Sequence, residues 1–365
     1  MLYHIFYEWL YEPETCFSIF RVFKYITFRA AYAAITALVI SLIIAPFIIK
    51  KLKQKHIKQV IRKEYLQNHI HKAETPTMGG IIILIALVVS SILWLRFDIR
   101  FTWIIIEMTV GLGLIGFIDD YLKLVKQRSE GLVAKYKFSG QVILASMLAI
   151  YLCYHPIHSQ YGTSLSIPFF KGAPVDISWF YIPFVILVIV GTSNAVNLTD
   201  GLDGLAIGAV IFAAIGFVGA SYFAGHFKFA HYLKIIYVSG AGEITIYLAA
   251  LIGASIGFLW YNAYPAEVFM GDTGSLALGG ILGTAAVLIK NELLLVIIGG
   301  LFVIEALSVI LQVGSMKLTK RRIFNMAPLH HHFEKKGWSE PKIIVRFWII
   351  AGIFTLLSLS TLKLR

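Results

Sequence analysis

Long apolar runs interrupted by short polar ones organise the whole chain. Stretches of ~18 apolar residues or more recur, each long enough to cross a bilayer as a helix. The pattern predicts ten spans, at 30–49, 78–95, 101–118, 138–154, 178–196, 205–224, 238–260, 275–289, 293–313 and 347–362. The expected fold class is therefore all-α, a polytopic transmembrane helix bundle. One connection differs. In 155–177 the turn residues Pro156, Gly162, Pro168, Gly172 and Pro174 punctuate alternating segments, which suggests a small hairpin. Residues 1–21 carry Tyr3, Phe6, Tyr7, Trp9 and Tyr11 together with Glu8, Glu12 and Glu14. They lack a basic start and an A-x-A site, so they read as an interfacial segment rather than a leader. Residues 22–365 then form a single integral membrane domain.

Composition agrees. The chain is 58% hydrophobic and 14% charged, too few charges to cover a soluble domain of this size. The net charge of +12 fits positive loops flanking membrane spans and does not require a nucleic-acid partner. Loops 50–77, 119–137, 197–204, 261–274 and 314–346 hold 21 of the 32 Lys and Arg residues. These loops are expected on the cytoplasmic side, with both termini outward. Cys16 and Cys153 make no metal-binding or redox pattern and are expected as free thiols.

The inner loops also hold the chemistry. Asp119 and Asp120 end the third span; adjacent carboxylates persist when a cation, a proton or a lysine offsets them, and Mg²⁺ suits such oxygen ligands. Asn194, Asn197, Asp200 and Asp203 recur at intervals of three, a spacing that gathers them toward one side in a helical or tight-turn context. Asn262, Glu267, Phe269, Gly271 and Asp272 precede the eighth span. A helix N-terminus there would suit a phosphate, with Asp272 or Ser275 as N-cap. Thr75 as N-cap and Pro76 at the first helical position would open the second span, leaving Lys72 and Thr77 for chemistry. His330, His331 and His332 cannot converge on one metal from a regular helix, so hydrogen bonding to an anionic substrate is the better expectation. Within the spans, Glu107, Glu243 and Glu305 are expected as satisfied interior or near-interface acids rather than a proton relay.

These motifs, in this order, resemble those of the bacterial phospho-N-acetylmuramoyl-pentapeptide transferases, within the polyprenyl-phosphate N-acetylhexosamine-1-phosphate transferase superfamily. The resemblance runs from Lys72-Ala-Glu-Thr-Pro-Thr-Met-Gly-Gly to Arg346-Phe-Trp, and the Ala327–Trp338 run resembles the muramoyl-pentapeptide branch. It implies Mg²⁺-dependent transfer of phospho-MurNAc-pentapeptide from its UDP carrier to undecaprenyl phosphate, giving lipid I and UMP. The enzyme would sit in the bacterial inner membrane with its active site on the cytoplasmic face, and a homodimer is allowed. Residue by residue, it implies Asp272 as metal ligand, Asp119 and Asp120 at the reaction centre, and Lys72 and His331 as further catalytic groups. Thr77, Asn194, Asn197, Asp200, Asp203, Phe269 and Gly271 would line the nucleoside and phosphate pocket, with Phe269 stacking on uracil. Lys123, Lys135, Asn262, His330 and His332 would complete the cleft. Direct attack and an aspartyl intermediate both stay open. A secondary transporter is disfavoured because the motifs cluster on one face and transport sites lie near the midplane. A sister transferase moving a plain GlcNAc-phosphate differs on sequence only in the Ala327–Trp338 run.

Overall fold

The computed structural model describes residues 1–54, 75–124, 131–158, 160–169 and 174–363. Nine helices among the described residues are long and apolar enough to cross a membrane, and a shorter apolar helix adds to them. In chain order the main ones are α1 (Ile26–Gln54), α2 (Gly80–Trp94), α3 (Arg100–Leu124), α4 (Ala134–Tyr154), α5 (Tyr181–Thr199) and α6 (Leu205–Gly225). After the short α7 (Phe227–Leu233) come α8 (Ala241–Asn262), α9 (Gly271–Leu288) and the short α10 (Leu294–Ile298). The chain closes with α11 (Gly300–Leu318), a short α12 (Leu329–Lys335) and α13 (Glu340–Thr361). The protein is thus a multi-pass membrane helix bundle. Strands β1 (Ser164–Leu165) and β2 (Val175–Asp176) pair antiparallel, Ser164 opposite Asp176, and supply the expected hairpin.

The innermost helix is α9. Small residues let its neighbours approach: a side chain at Gly279 would strike the backbone of Thr192 and Ser193 in α5, and one at Gly283 would meet Ile189 Cα at 3.0 Å. On α8, Gly253 and Gly257 do the same for α1, where Ala34 and Ser41 press against them. Both small-xxx-small pairs therefore lie on real helix contacts, as membrane packing favours.

Two buried charge clusters close the hairpin end. Arg29 donates to both carboxylate oxygens of Glu243, at 3.0 and 2.8 Å, and to Trp94 O at 3.3 Å. Arg96 N–H completes the Glu243 shell at 2.9 Å. At the far end of α9, Lys290 Nζ donates to Gly162 O and to Tyr181 Oη, each at 3.0 Å, while Tyr181 donates to Glu292 Oε1 at 2.7 Å. This second cluster ties the hairpin segment to the bundle. Burial pushes the Lys290 ammonium down and the Glu292 carboxyl up from their ordinary values.

Glu243 and Glu305 are thus satisfied interior acids; Glu305 accepts the backbone N–H groups of Leu329 (2.8 Å) and His330 (3.2 Å). Glu107 is not interior: it lies exposed on the surface of α3, roughly 10 Å from the helix start.

Three of the expected helix ends that carry candidate residues also move. The third span runs on to Leu124, so Asp119 and Asp120 sit inside it. The eighth begins at Gly271, which places Asp272 in its first turn instead of at the cap. The second begins only at Gly80, because the preceding residues pair with another loop: Phe269 N–H donates to Pro76 O, and Gly79 and Gly80 N–H donate to Phe269 O and Met270 O, all at 2.8 Å. Thr75 is no cap; its hydroxyl donates to Ala266 O at 3.4 Å.

Candidate functional site

The pairing of residues 76–80 with 269–270 brings three helix ends together. Gly271 has φ +73°, a conformation that side chains rarely adopt, and a Cβ there would lie 2.7 Å from Asp120 Oδ2 and 3.0 Å from Thr77 Oγ1. A side chain at Gly116 would run into the Asp272 backbone. Glycine at these two positions lets α3 and the start of α9 touch, and that contact places Asp119, Asp120 and Asp272 side by side. One oxygen from each of the three lies within 4.8 Å of the others.

The three acids are held differently. Asp120 accepts Asp272 N–H (3.1 Å) with Oδ1, and Thr273 N–H (2.9 Å) and the Thr273 hydroxyl (2.6 Å) with Oδ2. It satisfies the free N–H groups at the α9 start from outside the helix. Asp119 Oδ1 accepts Leu132 N–H at 2.7 Å, and its Oδ2 pairs with Lys123 Nζ at 2.6 Å. Asp272 Oδ2 accepts from Lys123 (2.9 Å) and Lys137 (2.7 Å), while its Oδ1 accepts from Asn197 Nδ2 (2.7 Å). Asp119 and Asp120 are buried, and Asp272 is partly open. Gly131, at φ +61°, turns the chain so closely over this pair that a Cβ would lie 2.6 Å from Asp119 Oδ1 and from Lys123.

Lys137 was not among the residues expected from the sequence. Lys135, which was, is exposed. Both begin α4, where two positions are roughly 200° apart around the axis. Lys137 shares its face with Gln141, a buried amide four residues on that accepts from Asn194 Nδ2 at 2.6 Å. That i, i+4 polar pair in an apolar span was the available signal.

The Asn194 to Asp203 series does not converge. Asn194 donates to Gln141 and to Val190 O (2.8 Å), bracing α5 against α4. Asn197, one turn on, reaches Asp272 and Ser275 Oγ (2.7 Å). Asp203 accepts Ala266 N–H at 3.0 Å, and its own N–H donates to Glu340. Asn262 is likewise a brace: Nδ2 donates to Val268 O (2.8 Å) and Oδ1 accepts Gly204 N–H (3.1 Å). Together Asp203 and Asn262 shape the loop that presents the partly exposed Phe269. Asp200 stays beside the acid group. Burial, then the Asp272, Asp120 and Asp203 carboxylates, push its carboxyl up to about 8.

The histidines part as their positions on one helical turn require. His330 is fully buried against Gly201, whose missing side chain leaves room for the ring. Its Nδ1 lies 3.3 Å from Glu305 Oε2, without the alignment of a hydrogen bond. It packs behind the Asp200–Gly204 turn, with no exposed surface. His331 Nδ1 meets Glu334 Oε2 at 2.9 Å, and His332 Nδ1 accepts Asn325 N–H at 3.1 Å. Lys72 lies outside the described residues.

Comparison with known proteins decides the family. Residues 102–290 match the glycosyl transferase family 4 model, and residues 72–84 match phospho-N-acetylmuramoyl-pentapeptide-transferase signature 1. A phospho-N-acetylmuramoyl-pentapeptide-transferase of Syntrophus aciditrophicus (strain SB) is 52% identical over 366 residues, with all of both chains covered. Proteins of the same name from Endomicrobium trichonymphae and Geobacter sp. (strain M21) are 52% and 53% identical, again over 100% of each chain. The chain belongs to the phospho-N-acetylmuramoyl-pentapeptide transferase family. The family model takes in α3 to α9, and so all three acids. The signature covers the strip that pairs with residues 269–270.

Proposed function

We propose that this protein transfers phospho-N-acetylmuramoyl-pentapeptide from its UDP carrier to undecaprenyl phosphate, giving lipid I and UMP. The observation that carries the reading is the acid group at one end of the bundle, in a chain similar over its whole length to transferases of that name. A lipid acceptor and a soluble nucleotide donor can meet only at a membrane boundary, and the acids lie within the last two turns of α3 and the first turn of α9. In the reaction, a phosphate oxygen of the acceptor attacks the phosphorus that bears the sugar. The bond from that phosphorus to the bridging oxygen breaks, and UMP leaves with the electron pair.

The chain's residues would divide the work. Three converging carboxylates are hard oxygen donors and fit Mg²⁺. Asp272, partly open and presented by a helix start, is the proposed principal ligand. The ion would neutralise phosphate charge. Lys123 and Lys137 would supply fixed positive charge beside the same phosphates. Asp119 would orient the acceptor phosphate or take its proton, while Asp120 holds α9 in place. Phe269 would stack on the base, with Thr77, Gly271, Asn197 and Asp200 around the nucleotide, and Lys72 and His331 as further catalytic groups. Asp119 and Asp120 already spend both oxygens on donors. This favours direct transfer over an aspartyl-phosphate. By the distribution of basic loops, the acid end faces the cytoplasm in the inner membrane. Residues 22–365 act as one domain, with 1–21 as an interfacial segment.

The test is UMP release by purified protein with undecaprenyl phosphate and a panel of UDP-sugars. UDP-MurNAc-pentapeptide should be turned over and UDP-GlcNAc should not, because a site built to bond the lactyl-peptide leaves its own polar groups unpaired without it. Comparable turnover of UDP-GlcNAc would move the assignment to a sister transferase. Without acceptor, no stoichiometric UMP should appear; a burst would restore the aspartyl intermediate.

A further inference from the structure

Helix α11 leaves the packed core well before it ends. Glu305, near its start, is fully buried and accepts Leu329 and His330 N–H. The helix continues to Leu318, roughly 20 Å further. That outer part is exposed and apolar at Leu307, Ile310, Leu311, Val313 and Met316, and nothing lies within 4 Å of where a side chain at Gly314 would stand. It is an arm that leaves the packed core.

The tip of the arm is different in character. Lys317, Lys320, Arg321 and Arg322 are exposed, and none has an ion-pair partner among the described residues. The sequence has no acid between Glu305 and Glu334. Leu318, 86% exposed, and Ile323, 54% exposed, stand on either side of the triple cation. The turn is built rather than loose. Lys320 adopts φ +55°, Ser315 Oγ donates to Arg321 O at 2.8 Å, and Gln312 Oε1 accepts Ile323 and Phe324 N–H at 3.2 and 2.9 Å. These bonds hold a left-handed lysine, a conformation uncommon for residues with side chains, and turn three cations outward together.

We infer that the α11 tip binds the phosphate headgroups of anionic phospholipids. Leu318 and Ile323 would sit in the acyl boundary, and the cations between them would lie at the phosphate layer, as long basic side chains do at helix ends. Charge complementarity favours an anionic over a zwitterionic lipid, by roughly fivefold per cation near the surface. The surface shares no residue with the transferase site, so it stands whether or not that reading holds.

Full-length protein in a neutral detergent is titrated with phosphatidylglycerol and with phosphatidylcholine of the same acyl chains, and bound lipid is counted by native mass spectrometry. The wild type should retain phosphatidylglycerol preferentially. The preference should fall at least ~10-fold in the triple variant Lys320→Gln, Arg321→Gln, Arg322→Gln. It should persist in the charge-keeping variant Lys320→Arg, Arg321→Lys, Arg322→Lys, and weaken as salt is raised. UMP release in phosphatidylcholine vesicles should be unchanged in both. If the triple variant unfolds, Arg322→Gln alone should still give a measurable partial loss. Undiminished phosphatidylglycerol retention by the glutamine variants overturns the inference. So does loss of undecaprenyl phosphate with phosphatidylglycerol retained, which would make the tip an acceptor-capture site.

Discussion

Asp120 accepts the backbone N–H of Asp272 at 3.1 Å, so one acid holds the helix start from which the other projects. With Thr273 N–H and hydroxyl on its second oxygen, Asp120 acts as an N-cap contributed by another helix. Asp119 makes no such bond to α9. Two neighbouring carboxylates therefore have separable duties.

Asp120→Ala should lower thermal stability in detergent together with activity, because buried N–H groups are left unpaired at about 1–3 kcal/mol. Asp119→Asn should lose turnover with little change in melting temperature. Equal stability losses in the two variants would show that the capping geometry does not divide them.

Asp272→Asn should lose at least ~10²-fold in turnover while keeping the fold, since charge neutralisation dominates phosphoryl transfer. Activity should vanish in excess EDTA and return with Mg²⁺ or Mn²⁺. Full turnover in EDTA would remove the metal from the mechanism. Near-normal turnover of the variant would remove only this ligand assignment.

Lys137→Gln should impair turnover severely, and Lys135→Gln should leave it within about twofold. The ground is the ammonium 2.7 Å from Asp272 in one case and an exposed side chain in the other. Steady-state UMP release distinguishes them, and the reverse order would show that the first turn of α4 is rotated in the working enzyme.

Asp200 gives a pH dependence. Its carboxyl, raised to about 8, holds its proton more tightly in the folded protein than in the unfolded chain, where aspartate titrates near ~3.9. Its contribution to stability is therefore complete below about pH 4 and is lost as pH rises through about 8. Relative to Asp200→Asn, which does not titrate, the wild type in EDTA should lose thermal stability across that window. A wild-type advantage that is constant or grows with pH would contradict the raised value.

The sequence alone determined the number, order and approximate limits of the membrane helices. Span length is set by bilayer thickness, a constraint each segment meets by itself. The hairpin was legible for a similar reason, since turn residues and alternation act over a few positions. It also placed Asp119, Asp120 and Asp272 among the chemistry-bearing residues, because acids at the ends of apolar spans are conspicuous. Only the tertiary structure decided how those acids are held. Whether Lys135 or Lys137 reaches Asp272 depends on the rotation of α4 against α9. Whether Asn194 lines a pocket or braces a helix depends on Gln141, 53 residues earlier. Thr75 and Pro76 satisfied every local rule for a helix start, yet Phe269 N–H takes the Pro76 carbonyl and delays the helix to Gly80. Backbone donors and acceptors must all be paired, and a partner nearly two hundred residues away is invisible to rules that read only neighbours.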